Sequence, residues 1–413
     1  MKPFTLPQKS YVQNFKQQLA VVTPENIIFI FLILTFFCLP SGTAPPLLSI
    51  GLASLIWFFS GRIFHIKPIV KQSWFFPVIP FLFLPWIGLL YSQDFDLGMD
   101  YALKTKYWVA VLISAGLTFN EKRFKILLQW FWAGLLIGSI LAFFQSIGVM
   151  AQKGGAPGFG IAHTFISMYL IIGILTVSFS FKKTRSSKNK LILFFLFLAF
   201  LFHLTILRGR GGYLIFGLLS PLIANHLMYK FSLKIKIAAT IVLVCSLSLS
   251  PVVREVVNNT FVDLSGQEKK LLKGEDVTKF PRPFMVRESL KIIVTNPLFG
   301  IGTGSISVPT KADGHLLTHP HNNFLYMGVS FGIFGILACC WLFWKMFKLS
   351  WGSRNTELGY FIFSTCIVLL LSGMLDTQIL NTGTLLLLSL TYGMLNHLIN
   401  PAICDNMDKI EQN

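Results

Sequence analysis

Residues 190–229 read KLILFFLFLAFLFHLTILRGRGGYLIFGLLSPLIANHLMY, two apolar runs split by the turn Arg208-Gly209-Arg210-Gly211-Gly212. A helix crosses a hydrocarbon layer of ~30 Å in roughly 20 residues. Both runs, at 190–207 and 211–229, are near that length and too long for barrel strands. In lipid only helices and closed barrels satisfy their own backbone groups. Working outward, further apolar runs fall at 27–40, 45–60, 75–91, 104–119, 125–148, 161–181, 236–253, 322–344, 356–374 and 382–399. The chain is 54% hydrophobic and only 13% charged, with a mean hydropathy of +0.65, which excludes a soluble globular protein. The 41 Phe and 9 Trp suit lipid-facing helices with interfacial anchors. The expectation is one all-α polytopic membrane domain over residues 1–413 with about twelve transmembrane helices.

A net charge of +18 over 413 residues invites a nucleic-acid partner, but the distribution opposes it. Lys and Arg alternate between loops. Twenty-one lie on the side of the N-terminus and five in the short loops of the other side, which the positive-inside rule reads as cytoplasmic and outer faces. Both termini are then cytoplasmic. A polar insert, 254–320, lies outside between helices nine and ten. No nucleic-acid partner is expected, and membrane lipids surround the chain. Cys38, Cys245, Cys339, Cys340, Cys366 and Cys404 lie in apolar runs or the C-terminal tail, so neither a disulfide framework nor a zinc spacing is indicated. The first apolar run lacks a small-residue cleavage site and is expected to stay as a helix.

The polar residues that stand out gather on the outer face. His319-Pro320-His321-Asn322-Asn323 closes the insert directly before an apolar helix. Imidazole is the usual side chain for moving a proton near neutral pH, although the same residues also suit a helix cap at an interface. Arg208 and Arg210 sit where the charge rule disfavours cations. They either pair with Asp94, Asp96, Asp100 or Asp376, snorkel to headgroups, or grip a phosphate with the planar guanidinium fork. The neighbouring glycines would let such a group come close. Within the insert, 254–280 reads as a solvated excursion. Residues 282–296 read as a helix able to bury Phe284, Leu290, Ile293 and Val294, stopped by Asn296-Pro297. That helix carries Arg282 and Arg287. Gly300, Gly302 and Gly304 follow, a loop built for close backbone approach. No strand precedes it, so phosphate binding there is a weak reading. His163 stands at the outer end of helix six, where a core or interfacial role competes with a functional one. Asp94 and Asp96 are ordinary loop composition, and no metal site is expected.

In this order, the motifs resemble the O-antigen ligase and O-antigen polymerase superfamily. The resemblance covers the helix series loosely and three stretches more specifically: RGGYLIF from Arg210; Arg282 fifteen residues before Pro297-Leu298-Phe299-Gly300-Ile301-Gly302; and HPHNNFLYMGVSFGIFG from His319. It implies an enzyme of the bacterial Gram-negative inner membrane with a periplasmic active site and no cofactor. The donor would be a glycan on undecaprenyl diphosphate. The acceptor would be a sugar hydroxyl of the lipid A-core for a ligase of lipopolysaccharide biosynthesis, or a second lipid-linked repeat for a polymerase. By position, Arg210 and Arg282 would hold the diphosphate, with Arg208 as an extra cation and Arg287 beside them. His321 would act as base with His319 next to it. Asn322, Asp376 and His163 would support them. A lipid-linked glycan transporter is the reading from another class. It would place ionisable groups at mid-membrane and repeat its halves, whereas here the polar groups collect at one surface. Sugar identity and oligomeric state are not legible.

Overall fold

The computed structural model describes residues 23–152, 154–258, 281–306, 308–309, 316–317 and 319–399, with the backbone alone at 281–284, 308–309 and 316–317. The described residues are helical apart from loops and a two-residue antiparallel ladder, β1 (Val308–Pro309) with β2 (Leu316–Leu317). In order the helices are α1 (Pro24–Cys38), α2 (Ala44–Phe59), α3 (Ile79–Leu89), α4 (Phe95–Ala102), α5 (Val109–Ala115), α6 (Glu121–Ser146), α7 (His163–Lys183), α8 (Ser187–Ile206), α9 (Arg210–Leu227), α10 (Leu233–Leu247), α11 (Pro251–Asn258), α12 (Pro281–Thr295), α13 (Asn323–Gly352), α14 (Glu357–Leu375), α15 (Thr382–Gly393) and α16 (Leu395–Ile399).

Each of the twelve apolar runs falls on helix, but the helices are unequal. Six of those described are by themselves long and apolar enough to cross a membrane, or up to eight if each sharply bent pair is one span. The others are cut short. α3 has only eleven residues and carries Pro85 inside it, a 3₁₀ stretch over Leu103–Trp108 replaces the first half of the run at 104–119, and α10 turns into α11 through 82°. Twelve full crossings therefore exceed what helix length and apolarity carry. Residues 254–258, read as the start of the excursion, continue α11, and 259–280 lie outside the described residues.

The core forms around α7, where every residue from Ile166 to Ser180 is buried. It packs against α6, α8, α9 and α14. A helix apolar on all sides needs this central position. Near the end of the bundle where α1 begins, Glu25 is buried with its side chain 3% exposed. Its carboxylate meets the Arg62 guanidinium at 3.1 Å and the Arg123 guanidinium at 2.6 Å, and accepts the Thr118 amide at 3.0 Å. Arg123 also donates to Asn26 Oδ1 at 2.7 Å. Both arginines belong to the Lys and Arg on the side of the N-terminus, and here they clamp three segments together.

The insert is anchored through a break in α13. Gly332 leaves helical geometry with φ 59° and ψ −145°. The carbonyls of Val329 and Ser330 accept instead from the Ile301 and Gly302 amides at 2.8 and 3.1 Å, and the Ile333 amide donates to the Pro297 carbonyl at 2.8 Å. Gly302, at φ 94°, brings its backbone so close to α3 that a Cβ would lie 2.5 Å from the Gly88 carbonyl oxygen. Thr303 adds bonds to the Pro85 and Gly88 carbonyls. The glycine loop thus makes the close approach its composition suggests, with the chain's own backbone as partner. Helix α12 lies against α13, with Ile293 packed as expected but Leu290 and Val294 turned outward, while the side chain of Phe284 lies outside the described residues. Met285 and Ser289 are fully buried and Ile292 and Ile293 half-buried, whereas Leu290 is 49% and Val294 77% exposed.

Glu25→Ala leaves two arginines facing each other without a counter-charge. Removing one partner of a buried pair costs about 3–5 kcal/mol. Because the arginine side chains keep 17% and 23% exposure, the expected loss is at the low end, read as a clear drop in Tm in detergent. An unchanged Tm would show that the clamp contributes nothing.

Candidate active site

His319 through Asn323 interlock with the turn that follows α14. Asn322 caps α13, its side-chain oxygen accepting the Phe324 and Leu325 amides at 2.8 and 3.0 Å. This satisfies two of the amides that a helix start leaves without partners. Its own amide donates to Thr377 Oγ1 and its side-chain nitrogen to the Met374 carbonyl, both at 3.0 Å. Asn323 accepts the Ile379 amide at 3.1 Å. Held between these, His321 has φ 51°, the sole positive value for a non-glycine among the described residues. Left-handed backbone at such a residue persists where its surroundings over-determine it.

His321 Nδ1 lies 2.9 Å from Asp376 Oδ1, and Asp376 Oδ1 also accepts the Thr377 amide at 2.9 Å. Burial pushes the Asp376 carboxyl up. The hydrogen bond and charge of His321, the Thr377 amide and the charge of His319 together outweigh it and hold the group below its ordinary range. With Nδ1–H donated to a carboxylate, the Nε2 of His321 carries the lone pair that can take a proton. The His319 ring stands 4.6 Å from that of His321. Burial first, then the charges of His321 and Lys104, lower its proton affinity against the opposing pull of Asp376.

Several expected residues come to this end of the bundle. His163 opens α7, and its Nδ1 accepts the Arg208 amide at 3.2 Å, so it holds the arginine turn in place. The start of α9 reaches the histidine cluster's own support: a Cβ on Gly211 would lie 3.3 Å from Leu375 Cδ1, next to Asp376. Two readings need correcting. Arg208 pairs with Glu255 of α11 at 3.7 Å, not with Asp94, Asp96, Asp100 or Asp376, and both side chains are well exposed, which makes the pair weak. The glycines of the turn serve packing. A Cβ on Gly212 would lie 2.6 Å from Ser167 Cβ, and one on Gly209 3.4 Å from His163. Asp94 caps α4 by accepting the Leu97 amide at 3.0 Å. Arg287 projects from the exposed face of α12, and no described contact joins it to the histidines. Arg282 stands in the first turn of α12, and its side chain lies outside the described residues.

Sequence reading missed Lys104 and Thr377. Lys104 Nζ donates to the Leu380 carbonyl, in the turn after Asp376, and sits 5.0 Å over the Tyr101 ring. Nothing local marks either residue, since each matters only through a contact across the fold. His319, His321 and Asp376 also offer one ligand atom apiece within 4.8 Å of one another, the donor set of a two-histidine, one-carboxylate metal site. Two of the three are hydrogen-bonded to each other, so a metal would have to replace that bond.

The depressed Asp376 carboxyl has a stability signature. A group ionising more easily in the folded protein contributes stability above its ordinary value and loses it as pH falls through the lowered one. The Tm deficit of Asp376→Asn is therefore expected to hold constant from pH 8 to about 5 and to shrink only below about pH 4. A deficit that disappears by pH 6 would contradict it.

No curated protein matches the chain. Residues 160–340, which run from the start of α7 through the arginine turn, the insert and the histidines into α13, match the family model described as O-antigen ligase. Over that stretch, somewhat less than half of its length, the chain is similar to the O-antigen ligase family.

Proposed function

We propose that the protein is an O-antigen ligase of the Gram-negative inner membrane, moving a glycan from undecaprenyl diphosphate to a sugar hydroxyl of lipid A-core at a periplasmic site. The observation that carries this is the 2.9 Å His321–Asp376 bond at the bundle end where α9 begins with Arg210. His321 Nε2 takes the proton of the acceptor hydroxyl as its oxygen attacks the anomeric carbon. The bond from that carbon to the diphosphate oxygen breaks, and undecaprenyl diphosphate leaves with the electron pair. Attack opposite the leaving group inverts the anomeric centre. Asp376 fixes the ring and balances the imidazolium that forms. His319, with its lowered proton affinity, adds little competing positive charge. Arg210, with Arg282 at the start of α12, neutralises the leaving diphosphate, a task that guanidinium groups perform without a metal.

Polymerase activity differs only in the acceptor. Transport is the less economical reading, because the titratable cluster lies where helices end rather than at mid-span.

His321→Ala is expected to insert and fold normally while losing about 10²–10⁴ in transfer rate. Asp376→Asn should lose less, and a metal chelator should leave the wild type unchanged. Normal turnover by His321→Ala removes the base assignment, and inhibition by the chelator replaces it with a metal at the same three residues. Lipopolysaccharide from a strain lacking the gene tests the acceptor. Core without polymer supports the ligase, whereas core carrying a single repeat identifies a polymerase.

A further inference from the structure

A second cavity lies far from the histidines. About 830 Å³ opens between α6, α7 and α8 at the opposite end of the bundle. The distance follows from α14, whose first residue, Glu357, lines this cavity and whose C-cap is Asp376. Nineteen helical residues span about 28 Å. The deep wall is apolar, formed by Leu128, Trp132, Leu136, Leu193 and Leu196, and the mouth is charged.

The charges at the mouth are not equivalent. Lys125 is held by Glu121 at 3.1 Å and lies 3.9 Å from Glu357. Lys183 and Arg185 line the same mouth, both exposed, and among the described residues neither has a carboxylate within ion-pair distance. Lys183 instead rests over the Phe179 ring at 5.3 Å. Lys183, which also feels the charge of Glu357 across the mouth, and Arg185 stand above an apolar cleft, an arrangement that matches a phosphate headgroup above acyl chains. By the charge distribution this end is expected to face the cytoplasm, where an acidic leaflet attracts basic groups.

We propose that the cleft between α6, α7 and α8 is a specific site for one acidic phospholipid, its phosphate on Lys183 and Arg185 and an acyl chain along Trp132 and Leu193. The site is separate from the glycan-transfer centre and does not depend on that assignment. Occupancy would fill the gap between α8 and α6 and stiffen the packing of α7.

Native mass spectrometry of the full chain, released from nanodiscs holding equal phosphatidylglycerol and phosphatidylethanolamine, tests it. The wild type should retain one phosphatidylglycerol. Retention should fall about tenfold or more in the double variant Lys183→Ala/Arg185→Ala and in Leu193→Trp, which fills the cleft. It should persist in Lys188→Ala/Lys190→Ala, which removes the same charge from the first turn of α8, outside the cavity. The charge variants keep the test decisive if Leu193→Trp fails to fold. Equal loss in the two double variants, equal retention of phosphatidylethanolamine, or a cleft closed by the chain's own terminal segment would each overturn the proposal.

Discussion

A backbone polar group left bare in hydrocarbon costs several kcal/mol, and this constraint shapes the part of the molecule that matters most. Helix α13 cannot run unbroken through Gly332, where φ is positive. The break frees the Val329 and Ser330 carbonyls and the Ile333 amide. The strand of loop from Pro297 to Gly302 supplies all three partners. Break and loop are therefore one unit. The short first segment of α13, with the histidines before it, is positioned by the insert rather than by lipid. A side chain on Gly332 would meet the Leu298 carbonyl at 2.4 Å, so the contact tolerates nothing larger.

The same economy governs the histidine turn. Asn322 and Asn323 form bonds to Met374, Thr377 and Ile379, and these hold His321 in backbone that a non-glycine residue seldom adopts. Ring and carboxylate are locked in register from two helices distant in sequence. In the proposed role of base, a ring set this way would not need to be ordered when substrate arrives, and that saving is one source of catalytic rate.

Hydropathy made the helices legible because burial in lipid leaves long apolar runs, and each of the twelve coincides with helix. It could not tell a full span from a cut one. The interruptions at Gly332 and the α10–α11 corner depend on which tertiary partners accept the freed backbone. Likewise His321 and Asp376 were readable as candidates from residue type and place, but their bond was not. Lys104 gave no signal, being one lysine in an ordinary loop. Gly302 permits the close approach its loop composition suggests, to the Gly88 carbonyl, whereas Gly212 serves packing on Ser167 rather than the approach of an outside group. A sequence shows that something must come near a glycine, while only the fold shows what.

Helix polarity adds a final step. Helices α7, α9 and α13 begin at the histidine end, and a helix start carries roughly half a positive charge. Asn322 covers the start of α13, but Ala162 and Gly209, before α7 and α9, provide no side-chain cap. The two uncapped starts are adjacent, since Gly209 packs on His163. Arg208 and Arg210 therefore extend a field that the backbone already creates. That polarity suits a doubly charged leaving group better than it suits a neutral sugar, so the proposed diphosphate belongs near the α7–α9 junction and the acceptor hydroxyl on the Asp376–His321 side. On the proposed mechanism, that division would put base and leaving group on opposite flanks of the reacting carbon, the arrangement that inversion requires.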